Sequence, residues 1–276
     1  MQQAHYIIII GGHGQMGQLF TRLLIQCGHR VTPFGESDWS NAQDILPEAD
    51  LVIVCVPIAV TEKIIQQAAH YLKPTAVLAD LTSTKVTPMA AMLSAHSGPV
   101  LGLHPMFGPT IDKPDNNLMI YCEGRQSEHY QWLLQDLREL RFTVQGMSAE
   151  QHDRAMDLIQ GLQHFITYCT GVFLKNQGVA IQELLQIGSP LYQLQLNMLG
   201  RIFYQDAALY ADIIASDPKR LALLQQFVTS SAQLLTQVQQ GKKCEFIDQF
   251  QSVTQWMGGF AKQAQDKTDG LFNQQS

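Results

Sequence analysis

The sequence predicts an α/β protein, a doubly wound parallel sheet in the first half joined to an all-helical second half. Three observations predict this. Short β-branched runs alternate with helical patterns up to about residue 147. Nine of the eleven prolines fall before residue 115, so the punctuation of the two halves differs. From Ser148 onward the apolar period becomes helical and stays so. The 276 residues suit two domains of ordinary size, 1–147 and 148–276.

Strands are expected at His5–Ile10, Arg30–Phe34, Asp50–Val56, Ala76–Leu81, Val100–Leu103, Leu118–Cys122 and Thr143–Gln145. Helical stretches such as Met16–Cys27, Val60–Tyr71 and Glu128–Leu140 lie between several of them. Strands separated by helices imply right-handed βαβ units and a parallel sheet covered on both faces. In the second half, Leu224, Phe227, Val228, Leu235 and Val238 form one apolar stripe. Phe246, Phe250, Val253, Met257 and Phe260 form another. Ser216-Asp217-Pro218 reads as a helix start, a capping Asp followed by Pro at the first helical position. The stripes suit either a bundle packed on itself or a symmetric dimer. The tail from Asn273 is expected to fray.

The composition narrows the function classes. Apolar residues make up 46% and the net charge is −6, so the chain can bury a core and has no basic cluster for nucleic acid or an anionic membrane. The longest apolar runs fall far short of the roughly 20 residues of a membrane helix. Met1–His5 lacks the features of a secretory signal. Five widely spaced cysteines, four of them in apolar segments and none in a Cys-x-x-Cys, fit buried thiols in a reduced, cytoplasmic protein without a metal site.

The most informative local signal follows the first strand. Gly12, Gly14 and Gly17 form G-x-G-x-x-G directly after Ile7–Ile10 and open a helix. That context is what a Rossmann-type dinucleotide site requires. Gly12 is expected to permit the tight turn, Gly14 to admit the pyrophosphate, and Gly17 to let helix and sheet pack closely. His13, Gln15 and Met16 belong to the same turn, and His13 carries no assigned chemistry. The pyrophosphate would meet free N–H groups and the positive end of the helix dipole. About 20 residues on, Glu36 could accept hydrogen bonds from the adenosine ribose, with Asp38 as a neighbouring acid. The lack of a nearby Arg or Lys favours NAD over NADP.

Ligands of an open parallel sheet collect at the carboxyl ends of its strands. Val56 and Pro57 there suit a wall against the cofactor. Ser83 and Lys85 offer a hydroxyl and an ammonium to a polar or anionic group. His104 closes an apolar strand and is followed by Pro105, where nicotinamide and substrate should meet. An alcohol-oxidising dehydrogenase needs a base for the hydroxyl proton, and neutral imidazole suits that task.

Leu101-Gly102-Leu103-His104-Pro105-Met106-Phe107-Gly108 and Gly11–Gly17, with Val52–Thr61, Asp80–Lys85, Glu150–Asp153, Ser189–Tyr192, Gly200–Phe203 and Gln205–Ile214, carry a resemblance to the prephenate dehydrogenase family. The likeness is greatest to the dehydrogenase portion of bifunctional chorismate mutase–prephenate dehydrogenases. It implies oxidative decarboxylation of prephenate with NAD, giving 4-hydroxyphenylpyruvate on the route to tyrosine. His104 would accept the hydrogen bond of the 4-hydroxyl, with Ser83 and Lys85 lining the same pocket. Arg201 would hold a substrate carboxylate, and His164 would be a further substrate contact. The resemblance also implies a homodimer through the helical half and possible inhibition by tyrosine.

The sequence departs from the family pattern in places. Gln193 stands where relatives carry a second arginine, and Gly35 where they carry the acid that reads the ribose. The mutase segment that bifunctional enzymes carry upstream is not among these 276 residues, which fits either a piece of a longer chain or a stand-alone enzyme, and these residues are expected to lack mutase activity. Rival readings are an arogenate dehydrogenase, a non-catalytic NAD-binding sensor, and a β-hydroxyacid dehydrogenase with Lys175 as its catalytic lysine.

Overall fold

A computed structural model describes residues 3–111 and 113–273. Of the tail expected to fray, 274–276 lie outside the described residues, as do Met1 and Gln2 of the segment read for a signal. The chain divides into two compact units, residues 1–159 and 160–276. The turn to helical sequence at Ser148 therefore precedes the division by one helix.

The first unit is built on a seven-stranded sheet. Its strands are β1 (Tyr6–Ile10), β2 (Arg30–Phe34), β3 (Leu51–Val54), β4 (Val77–Asp80), β5 (Val100–Pro105), β6 (Leu118–Arg125) and β7 (Thr143–Gly146), in the order β2-β1-β3-β4-β5-β6-β7. The helices are α1 (Gln15–Gln26), the short α2 (Ala42–Ile45), α3 (Ile58–Ala69), α4 (Val86–Ala95), α5 (Gln131–Glu139) and α6 (Ala149–Met156). The first five strands run parallel. The parallel sheet expected is thus present, and only its far edge departs from it, where β6 pairs antiparallel with β5 and β7 follows β6 in parallel. Among its described residues the connection from β5 to β6 has no helix to serve as a crossover, and the chain returns alongside β5 in the opposite direction. That pairing also carries β6 three residues past its expected end at Cys122.

Both faces of the sheet are covered. Ile7, Ile9, Leu51 and Ile53 point to one face and pack with Leu19, Phe20 and Leu24 of α1 and with Leu133, Leu134 and Leu137 of α5. Ile8, Ile10, Val52 and Val54 point to the other, against Ile65 and Ala68 of α3 and Met89 and Met92 of α4. The period-2 alternation of side chains makes four consecutive isoleucines serve two cores. Each such buried side chain contributes about 1.5–3 kcal/mol over exposure.

The second unit contains α7 (Gln163–Asn176), α8 (Ile181–Ile187), α9 (Pro190–Phe203), α10 (Ala207–Ala215), α11 (Pro218–Gln239), α12 (Lys243–Met257) and α13 (Gly259–Asn273). A π-helical turn, Asp157–Leu162, precedes α7. The start expected at Ser216-Asp217-Pro218 is present, with Asp217 accepting from the Lys219 N–H at 2.7 Å. The stripe expected from Phe246 to Phe260 is interrupted. Gly258 adopts φ +53 and ends α12, so Phe260 lies on α13. Among the described hydrophobic residues of this unit, only Leu196, Ile213 and Leu224 are enclosed. Phe246, Phe250, Val253, Phe260 and, on α11, Leu235 and Val238 remain half or more exposed. The thiols also depart from expectation, since Cys122 is buried whereas Cys169 and Cys244 are exposed. No described helix is long and apolar enough to cross a membrane.

Candidate active site

Strand order reverses between β1 and β3, because β1 lies beside β2 on one side and β3 on the other. A crevice at the carboxyl ends is expected there, and the glycine turn stands at that point. Its geometry reassigns one glycine. Gly11 takes the left-handed conformation of the turn, φ +82, and the carbonyl of Cys55 packs where a side chain would project. Gly12 is needed for a different reason, since a Cβ there would lie 2.6 Å from Pro33 Cα of β2. At Gly17 a Cβ would meet Gly11 O at 2.5 Å, which is the close helix–turn approach expected.

Gly14 is the N-cap of α1. It offers no side chain to the free N–H groups, and the first turn, Gln15, Met16 and Gly17, holds no acid. A Cβ at Gly14 would find only Gly11 O, at 3.3 Å, so the space before the helix is open. These features fit a dinucleotide pyrophosphate, which would take the unsatisfied donors and the positive helix end. Val56 and Pro57 follow β3, and Pro57 caps α3. Beyond β2, Asp38 accepts from the Gly35 N–H at 2.7 Å and is occupied in that turn. Glu36 is exposed at its start. The His13 ring packs over Gly35, 2.8 Å from where a Cβ would stand, so any side chain at this position would meet the imidazole.

The β4 edge carries Ser83 and Lys85. Ser83 is half-buried in the turn between β4 and α4. Lys85 differs from expectation, because it is fully enclosed, with its ammonium on Asp80 and 3.5 Å from Thr82 Oγ1. Thr82 also bonds to Asp80 through its N–H and hydroxyl. An ammonium sealed against its own strand end ties the turn down and presents no charge to a ligand. Sequence position alone gives no sign of this, because Asp80 reads as one more strand residue.

His104 lies at the end of β5, on the same sheet edge. Asp80 pairs with Gly102, which places His104 two residues further along β5, on the same side of the strand as Gly102. A Cβ at Gly102 would meet Lys85 Cδ at 3.0 Å, so the lysine stem packs on this strand. From α6, His152 Nε2 lies 2.7 Å from His104 Nδ1, and His152 Nδ1 lies 2.7 Å from Asp153 Oδ1. Asp153 also accepts from the N–H groups of Lys85 (2.8 Å) and Val86 (2.9 Å) at the head of α4. Burial works against its charge, but the bonds from His152, Val86 and Lys85 outweigh that and hold its carboxyl below the ordinary value. Glu150–Asp153 is one of the stretches that carry the resemblance, but the sequence assigns His152 and Asp153 no chemical role. A His-Asp pair one turn after the capping Ser148 is visible there, but nothing in its spacing names its partner.

The remaining expected residues lie in the second unit. His164 of α7 stands edge-on to Tyr210, ring centroids 4.8 Å apart. Its Nδ1 is buried without a hydrogen-bond partner, and burial, with Arg220 nearby, lowers its pKa. His164, Tyr168, Ile202, Phe203 and Tyr210 line a cavity of about 420 Å³. Arg201, immediately before two of these residues, is exposed on α9, and its guanidinium has no ion pair among the described residues. Gln193 is committed within the unit, donating to the carbonyls of Leu185 (2.9 Å) and Gly188 (3.1 Å). Lys175, the rival reading's lysine, falls near the end of α7.

Comparison with known proteins gives a consistent result. Residues 34–125 match the family model described as prephenate dehydrogenase, nucleotide-binding domain, and residues 148–252 the one described as prephenate dehydrogenase, dimerization domain. The chain is 42% identical to the T-protein of Enterobacter agglomerans over 256 residues, 93% of this chain and 68% of that protein. It is 40% identical to the T-protein of Haemophilus influenzae over 270 residues, 98% of this chain and 72% of that protein. Among solved structures, prephenate dehydrogenase from A. aeolicus in complex with hydroxyphenyl propionate and NAD+ shares the fold. Its TM-score is 0.74 at 16% identity, covering 92% of this chain and 97% of that one.

Proposed function

The chain belongs to the prephenate dehydrogenase family, and from that premise we propose that it oxidises prephenate with NAD to 4-hydroxyphenylpyruvate and CO₂. The observation that carries the reading is His104 at the carboxyl end of β5, on the edge where the glycine turn follows β1. NAD, when bound, supplies the acceptor for the hydride that leaves the carbon bearing the 4-hydroxyl. His104 holds the proton of that hydroxyl while the ketone forms. The ketone withdraws electrons through the ring, so the ring carboxylate departs as CO₂ and the ring becomes aromatic. The phenolic oxygen then recovers the proton from His104, and no net proton is released.

Gly11, Gly12, Gly14 and Gly17 shape the pyrophosphate turn, with His13, Gln15 and Met16 around it, Val56 and Pro57 as a wall, and Glu36 toward the ribose. Ser83 stands at the substrate side of the β4 edge. Arg201 is assigned to a substrate carboxylate, for which a planar guanidinium is suited. His164 and its aromatic cavity are assigned to the same ligand. The exposed stripes of α11, α12 and α13 support a homodimer formed through the helical unit. Tyrosine resembles the product and is proposed as an inhibitor at the same site. A cytoplasmic location belongs to the same reading.

An absorbance assay for NADH tests the proposal. Prephenate with NAD should be turned over faster than prephenate with NADP or arogenate with NAD, and added tyrosine should slow the reaction. Arg201→Ala should raise the KM for prephenate roughly 10- to 1000-fold, the loss of a charge-assisted contact of about 1.5–4 kcal/mol. No NADH from prephenate would refute the reaction, and an unchanged KM would remove Arg201 from the site.

A further inference from the structure

The hydrogen-bond chain behind His104 has a direction. Asp153 receives the N–H groups of Lys85 and Val86, and as a carboxylate it can only accept from His152 Nδ1. His152 therefore carries its proton on Nδ1, and in the neutral ring Nε2 is a lone pair. That lone pair lies 2.7 Å from His104 Nδ1 and needs a donor. His104 is thereby set with its proton on Nδ1 and Nε2 as the accepting nitrogen.

We propose that His152 and Asp153 are positioning residues that fix His104 in this tautomer and share the charge it gains when a substrate hydroxyl gives up its proton. The proposal rests on His104 being the acceptor for the substrate hydroxyl and deepens that reading. The proton balance is simple. The substrate O–H bond breaks, its electron pair stays on oxygen, and an N–H bond forms at His104 Nε2. The Nδ1 proton stays on His104 throughout, held by His152, which Asp153 in turn polarises. The same Nε2 proton returns to oxygen as product forms. A wrong tautomer would place N–H against the substrate O–H, two donors facing each other.

The architecture supports a specific coupling. Asp153 joins three things in one contact set: the head of α4, the Lys85 turn that carries Ser83, and the imidazole pair. His152 is completely enclosed, so water does not compete for either ring nitrogen. Among the described residues, titratable and charged groups around this strand end include Asp80 and Lys85 from the β4 edge, Cys122 of β6 and Glu150 of α6. Cys122 is pushed up to about 12, chiefly by burial, and the Asp80–Lys85 contact is sealed. Protonation of His104 Nε2 before substrate binds would remove the acceptor, so activity should fall at low pH.

The test uses the full chain labelled with ¹⁵N. Long-range proton–nitrogen NMR at mildly alkaline pH should show His104 protonated at Nδ1 and bare at Nε2. Asp153→Asn should give mixed tautomers and lower kcat for prephenate about 10- to 100-fold, the size seen when a partner that orients an imidazole is lost and below the contribution of the base itself, with KM changed little. It should also move the low-pH limb downward, because losing the anion weakens the imidazolium. Since Asp153 also holds the head of α4, His152→Asn serves as a second variant. It should repeat the loss in kcat while leaving NAD affinity unchanged. A wild type that turns over no prephenate sinks the reaction and the positioning role together. A wild type that turns it over with His104 protonated at Nε2 sinks the positioning role alone, as do both variants retaining wild-type kcat and pH limb.

Discussion

The two units bury their apolar residues in different ways. In the first, β1 and β3 are enclosed on both faces by helices of the same chain. In the second, α11, α12 and α13 carry stripes of similar quality that the chain itself leaves uncovered. One unit is complete in a single copy, while the other has an apolar face whose natural cover is its own symmetric mate, the commonest closed arrangement. Hydrophobic periodicity is therefore the same signal in both halves but reports a core in one and an interface in the other.

The largest expected effect tests the completeness of the first unit. Ile9→Ala removes a wholly enclosed side chain and should cost about 2–5 kcal/mol in denaturant unfolding. A loss below 1 kcal/mol, well under that range, would show that the sheet face is not closely packed. Next, Phe246→Asp with Phe250→Asp puts two charges on the stripe of α12. Sedimentation should show dimer dissociation strengthened roughly 100- to 1000-fold, as for two central contacts. An unaltered dimer would move the interface off α12. A smaller effect belongs to Asp217→Ala, which removes the cap of α11 and should cost about 1 kcal/mol in thermal or chemical unfolding. The mildest probe is thiol labelling at neutral pH. Burial pushes Cys27 up to about 11 and Cys55 and Cys122 up to about 12, so these stay protonated thiols well above neutrality. Modified cysteines identified by mass spectrometry should therefore come from the second unit, and rapid labelling of Cys122 would contradict the packing of β6.

Much of the fold was legible in the sequence. All seven strands fall where the β-branched runs placed them, and the cap at Asp217 is as expected, because these features depend on neighbours a few residues apart. The glycine turn was legible for the same reason, although which glycine bends and which is crowded was not. Gly11 takes the positive φ, and Gly12 is constrained by Pro33, a residue on another strand.

The remainder was decided by the tertiary structure. The reversal of β6, the sealing of Lys85 against Asp80, and the line from Asp153 through His152 to His104 all join residues distant in sequence or leave no periodic trace. Periodicity reports which face of an element is apolar. It carries no information on which polar side chain meets which, since a hydrogen bond is specified by a few tenths of an ångström and a proton position that only packed elements can fix.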